Sequence, residues 1–111
     1  MNGNAGTPLG SRVVVTLTSI TPTTTLSNIV DGVGVDYAVV QCIKLDSYPD
    51  DRKICNYRLD GDAAEQSSDF YLGHGDFIIF RKGELKKGVN FISAENSSQL
   101  YCRLIIQYYQ N

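Results

Sequence analysis

The chain has 111 residues, 42% of them hydrophobic and 20% charged, with a net charge of −2 and a pI near 5.2. That length suits one domain with a single packed core that needs neither metal nor disulfide to stand. The acidic balance excludes a protein that grips a phosphate backbone, which needs a basic face, and no apolar run approaches the roughly 20 residues of a membrane-spanning helix.

Residues 1–11, Met1-Asn-Gly-Asn-Ala-Gly-Thr-Pro-Leu-Gly-Ser11, have little apolar content to offset the entropy of ordering, and a flexible arm is expected there. The same stretch has neither the basic start nor the apolar run of a signal peptide, so a cytosolic origin is expected. Arg12 to Ile20 reads as the first strand: Val13, Val15 and Leu17 share one face, Arg12, Thr16 and Thr18 the other, and Val14 breaks the alternation. Thr21 to Thr25 is a loop, Leu26 to Val30 a helical turn or short strand, and Asp31-Gly-Val-Gly34 a turn. Those glycines serve backbone geometry: without a following Lys-Ser/Thr or a helix they make no phosphate loop.

Tyr37 to Leu45 is a second long strand, with Tyr37, Val39, Ile43 and Leu45 on one face and Ala38, Val40 and Cys42 on the other. Apolar residues on both faces mark a strand in the middle of a sheet or one covered by a partner. After the turn-rich loop Asp46 to Arg52, Lys53 to Leu59 alternates again, with Cys55, Tyr57 and Leu59 inward and Asn56 and Arg58 outward. Asp60-Gly61 is a tight-turn signal. Ser68 to Gly73 leads through His74-Gly75-Asp76 into Phe77-Ile-Ile-Phe80. Arg81, Lys82, Lys86 and Lys87, with Glu84 among them, are expected in a solvated loop between strands. Val89 to Ser93 and Leu100 to Tyr109 are the last strands, the final one placing Leu100, Cys102, Leu104, Ile106 and Tyr108 on one face. About seven or eight short strands with turns at near-regular spacing and no amphipathic helix predict an all-β fold, an antiparallel β-sandwich of jelly-roll type over residues 12–111.

Side chains that carry chemistry are sparse. Cys42, Cys55 and Cys102 are odd in number, form no close pair in sequence and sit in strand patterns, so buried free thiols are expected rather than a disulfide framework or zinc site. His74 lacks the nucleophile and orienting group that a triad needs, and reads as a turn residue between glycines. Asp60, Asp62, Glu65 and Asp69 miss the register of a calcium loop, and Asn96-Ser97-Ser98 reads as a polar turn. No catalytic residue, cofactor or metal site is assigned. Tyr48, Tyr71, Tyr101 and Tyr109 are candidates for an exposed carbohydrate platform, although tyrosines in a sandwich commonly bury the ring and wet the hydroxyl. Tyr108 and Tyr109, followed here by Gln110-Asn111, are costly to leave exposed and are expected to place at least one ring against a partner.

The order of segments resembles the small β-sandwich virion proteins of tailed bacteriophages. The resemblance runs from Tyr37 to Tyr109 and rests on Cys42-Ile-Lys-Leu45, on Asp51 to Asp60, on Phe70 to Ile78 and on Val89 to Tyr101. Within it, Tyr57-Arg-Leu-Asp-Gly61 matches a tyrosine strand ending in an acid-containing glycine turn. Leu72-Gly-His-Gly-Asp76 matches a "Leu, x, Pro, Gly, Glu" corner, and Ala94 to Gln99 matches an "Ala, x, x, x, Ser, Gln" turn. His74 stands where that corner carries proline, and the loop from Asp46 to Lys53 is longer and more charged than the pattern. The resemblance implies a capsid decoration, or cement, protein. Such a protein is a virion component assembled in the host cytoplasm as a homotrimer. It binds the outer capsid surface and bridges subunits of the major capsid protein, with no nucleic acid or membrane as partner. On that reading Asn2, Asn4, Thr7, Pro8, Leu9, Tyr108 and Tyr109 are the expected contact residues, the arm ordering across a neighbour by strand addition. A head–tail connector, a fibre-base piece or a carbohydrate- or ligand-binding sandwich module are the alternatives.

Overall fold

The computed structural model describes residues 6–17, 26–44, 55–62, 70–93 and 102–111. The described strands are β1 (Thr7–Leu17), β2 (Ile29–Val30), β3 (Val33–Gly34), β4 (Tyr37–Lys44), β5 (Cys55–Arg58), β6 (Phe70–Leu72), β7 (Phe77–Arg81), β8 (Asn90–Ser93) and β9 (Cys102–Gln110), with one helix, α1 (Lys82–Lys87), between β7 and β8. The loops expected at 21–25 and 46–52 and the turn at 94–99 lie outside the described residues.

The larger sheet runs β1-β9-β4-β7, antiparallel throughout. Its centre is the β4·β9 pair, in register without a break from Tyr37 opposite Tyr109 to Lys44 opposite Cys102. Because successive side chains point to opposite faces, this register puts Ala38, Val40 and Cys42 on the same inward face as Cys102, Leu104, Ile106 and Tyr108, all buried. β4 is thus the central strand that its two apolar faces announced.

The smaller sheet, β6-β5-β8, is antiparallel too, with Tyr57 opposite both Phe70 and Phe91. The two sheets share one hydrophobic core and meet through three rings. Phe80 of β7 stands edge-on to Tyr57 of β5 (centroids 5.5 Å apart, planes at 85°) and to Phe91 of β8 (5.8 Å, 82°). Edge-to-face geometry sets the positive rim of one ring against the negative face of the next, which adds about 1 kcal/mol per pair to the burial of apolar area. The result is an all-β sandwich. The described strands do not by themselves make the double Greek key of a jelly roll.

Three expectations are corrected. Residues 7–11, expected in a flexible arm, begin β1 instead: Thr7, Pro8 and Leu9 face Gln110, Tyr109 and Tyr108. Backbone hydrogen bonds to β9 supply the ordering energy that apolar composition lacked, and a bulge between Leu9 and Val13, with Gly10 at φ 68°, absorbs the irregular spacing. Second, the basic loop is helix α1. The Glu84 carboxylate accepts the Arg81 backbone N–H at 2.9 Å, and Lys86 and Lys87 lie in the last turn, where cations suit the helix dipole. Six residues are too few to hold a helix alone, so burial of Leu85 in the core supplies the rest. Third, Asn56, assigned outward, is fully buried, and its Nδ2 donates to the Phe70 carbonyl at 3.4 Å.

Between Ile29–Val30 and Val33–Gly34, Asp31 and Gly32 both have positive φ (51° and 79°), the requirement of a type I′ hairpin turn. A tighter constraint lies where the β5 turn meets the end of α1. Gly61 N–H donates to the Gly88 carbonyl at 3.1 Å, and a Cβ on Gly61 would sit 2.6 Å from the Lys87 carbonyl oxygen. With φ at 86°, Gly61 suffers both penalties at once if replaced. Gly61→Ala is expected to cost about 2 kcal/mol or more in urea unfolding, whereas Gly83→Ala, with open space at its Cβ, leaves stability unchanged or slightly raised.

Candidate functional site

Cross-strand partners share a face, so the register of the larger sheet also defines its outer surface row by row. Val14, Ile105, Gln41 and Phe77 form one row, and Gln107, Val39 and Ile79 the next. Thr16, Arg103 and Ile43 lie beyond the first row, and Pro8, Tyr109, Tyr37 and Arg81 beyond the second. An antiparallel sheet with one wet face normally alternates apolar inward and polar outward. Here the outward face is largely apolar. Val14 is 51% exposed, Phe77 66% and Ile79 48%, with Val39, Ile43 and Ile105 half-buried among them. Exposed Arg81 and Arg103 flank this surface at opposite ends.

The sheet beneath is firm. Tyr37 and Tyr109 stack with centroids 4.8 Å apart and planes 9° from parallel. The Tyr37 hydroxyl accepts the Gly6 N–H at 3.1 Å, which ties the start of β1 across β9 to β4. Gln107 reaches from the same face to the β1 bulge, its Nε2 lying 3.4 Å from the carbonyls of Leu9 and Gly10. Asp36 fastens the chain end by accepting the Asn111 N–H at 2.7 Å.

Of the expected contact residues, Asn2 and Asn4 lie outside the described residues. Thr7, Pro8, Leu9, Tyr108 and Tyr109 are brought together by β1·β9 pairing into one corner of the larger sheet. Their side chains divide between faces. Tyr108 points into the core, buried, with its hydroxyl accepting the Ser27 N–H at 3.0 Å, so its ring and hydroxyl are both engaged within the fold. Tyr109 is half-buried on the outer face. Among the carbohydrate-platform candidates, Tyr71 is exposed on edge strand β6 of the other sheet, and Tyr48 and Tyr101 lie outside the described residues.

The remaining polar candidates serve turns. His74 Nδ1 accepts the Lys44 backbone N–H at 3.0 Å, and Asp76 Oδ2 accepts that of Gly73 at 2.7 Å, so the corner between β6 and β7 caps the end of β4. Arg58 holds Asp60 by a forked ion pair and reaches Asp62 at 3.5 Å. Arg58, together with the Asp62 N–H, holds the exposed Asp60 carboxyl below its usual range. Glu65 and Asp69 lie outside the described residues. The described residues include no group of three or more His, Cys, Asp or Glu side chains that could hold a metal ion. The Cys42, Cys55 and Cys102 thiols are free and buried together in the core.

Comparison with family models, with curated proteins and with solved structures finds no match to this chain.

The sequence does not single out the outer face, because apolar residues on both faces of β4 fit a central strand as well as one covered by a partner. Its signals were nevertheless present: Val14 breaking the β1 alternation, four apolar residues in succession from Phe77 to Phe80, and apolar residues on both sides of β4. The two tyrosines are expected to separate in experiment. Tyr108→Phe leaves the Ser27 N–H without its acceptor and costs about 1 kcal/mol in chemical unfolding. Tyr109→Ser loses ring stacking of the same order and also opens the outer face to water.

Proposed function

We propose that this chain is a structural protein that works by docking, and that its role is decoration of a bacteriophage head. The observation that carries the docking reading is the apolar outer face of the larger sheet, with Val14, Phe77 and Ile79 each about half exposed or more. Water-facing apolar side chains gathered on one rigid surface are the usual mark of an interaction site. Burying them supplies roughly 25 cal/mol per Å² of apolar area, from which the costs of association are subtracted.

The chemistry of the face favours one kind of partner. A large apolar patch flanked by Arg81 and Arg103 suits a complementary apolar surface bordered by carboxylates, since like charges at the rim would be repelled. In the decoration role that partner would be the major capsid protein, and the role is supported by the resemblance in order of segments and turn motifs from Tyr37 to Tyr109. In this proposal the corner of Thr7, Pro8, Leu9 and Tyr109 makes contacts between copies in a homotrimer on the capsid surface. Weak symmetric contacts repeated over a shell then sum to firm attachment.

Static light scattering over a range of protein concentrations, followed by co-sedimentation with expanded heads of the phage that encodes the chain, tests both halves. A trimer that sediments with the heads is the expected result. The double variant F77K/I79K leaves unfolding within about 0.5 kcal/mol of the parent, because both side chains are exposed, yet lowers head binding at least tenfold. Undiminished binding by that variant overturns the docking face. A face covered by a second copy, with no affinity for heads, overturns the decoration role.

A further inference from the structure

Three strands deliver their cysteines to one place in the core. Cys42 of β4 and Cys102 of β9 belong to the larger sheet and Cys55 of β5 to the smaller one, and all three are fully buried. Sγ of Cys42 lies 3.9 Å from Sγ of Cys55, and Cys102 packs in the same core cluster. Nothing in the docking surface uses these thiols. We infer that Cys42 and Cys55 form an inter-sheet cystine site, a thiol pair in reducing surroundings that closes to a disulfide in oxidising ones.

The Sγ contact between Cys42 and Cys55 selects this pair. A disulfide needs Cα atoms roughly 4.4–6.8 Å apart and sulfurs at about 2.05 Å. Cys42 is opposite Leu104, so Cys102 is its diagonal neighbour on the adjacent strand. Diagonal neighbours stand about 7–8 Å apart, outside the bonding range. Cys42 and Cys55 instead face one another across the layer between the sheets, the placement used by the inter-sheet bond of immunoglobulin domains. Closing from contact distance takes roughly 2 Å, which side-chain rotation and a small approach of the sheets supply.

The chemistry balances with a small-molecule disulfide, such as oxidised glutathione, as the oxidant. The Cys42 thiolate attacks one sulfur of that disulfide, forming a mixed disulfide and expelling one small-molecule thiolate. The Cys55 thiolate then attacks the Cys42 sulfur, forming the Cys42–Cys55 bond and expelling the second. The two cysteine protons pass to the two leaving thiolates, the protein loses two electrons, and the oxidant gains them. Cys42 is the natural first nucleophile: the neighbouring Cys102 and Cys55 thiols lower its pKa, whereas Cys55 and Cys102 are both shifted upward, by their neighbouring thiols and by burial. Because the thiols are buried, exchange takes place while the sheets are apart, during folding or local opening.

The test is refolding of the full chain in a glutathione buffer poised oxidising, with a parallel sample under reducing conditions, followed by alkylation and a non-reducing tryptic map. The three cysteines fall on separate tryptic peptides, because Lys44, Lys53, Arg58 and Lys87 lie between them. A Cys42–Cys55 linked peptide with Cys102 alkylated is the expected result, together with a melting temperature raised by about 10 °C that falls back on reduction. The variant C102A is expected to form the same link. Three alkylated thiols after oxidative refolding, a link through Cys102, or a melting temperature that oxidation leaves unchanged or lowers each overturn the inference. The map reads the native sequence, so the result does not depend on any variant folding.

Discussion

The uninterrupted pairing of β4 with β9 is the interaction on which the remaining structure depends. It joins two segments far apart in sequence, and its register fixes which side chains of both strands enter the core and which make the outer face. A slip of β9 by one residue would turn Cys102, Leu104 and Ile106 outward and bring Arg103 and Gln107 inward, an exchange no core of this size could survive. The same ladder carries β1 on one side and β7 on the other, so the composition of the outer face is a consequence of the core register and not a separate design.

The sandwich is closed by side chains of two kinds. Rings join the sheets at Phe80, Tyr57 and Phe91, where shape sets the spacing. Thiols fill the layer at Cys42, Cys55 and Cys102. Polar groups then fix the ends: Tyr108 to Ser27, His74 to Lys44, Asp36 to the last residue of β9's extension. Residues that would draw the eye as chemistry in a sequence, His74, Asp76 and Asp60 among them, are spent on turns.

What was legible in the sequence was what has a period. Alternation placed β4, β5 and β9 and grouped Cys42 with Ala38 and Val40 on one face, and Cys102 with Leu104, Ile106 and Tyr108 on another, because a strand's side chains repeat every second residue whatever their partners. What was not legible came from interactions that have no period. Residues 7–11 look disordered by composition, and only pairing with β9 orders them. Helix α1 carries weak local signals, Glu84 at its third position and Gly88 at its end, but the decisive term is a pocket for Leu85 that no local reading contains. Asn56 looked outward by alternation and is buried. The exposure of the outer face was not legible for a different reason: strand patterns show apolar residues without showing which lie under another layer.

An outer face rich in exposed Val, Ile and Phe, carried by a sheet whose long strand β1 is an edge among the described strands, is the arrangement that invites chains to add edge to edge into fibres. The bulge between Leu9 and Val13 stands against that outcome. It interrupts the regular rise of hydrogen-bonding groups along the free edge and increases its twist, so a second chain cannot extend the ladder past Gly10 in one register. The irregularity that lets a glycine- and proline-containing segment join the sheet therefore also sets where the sheet stops growing, leaving association to the face and its side chains, where a partner can be chosen.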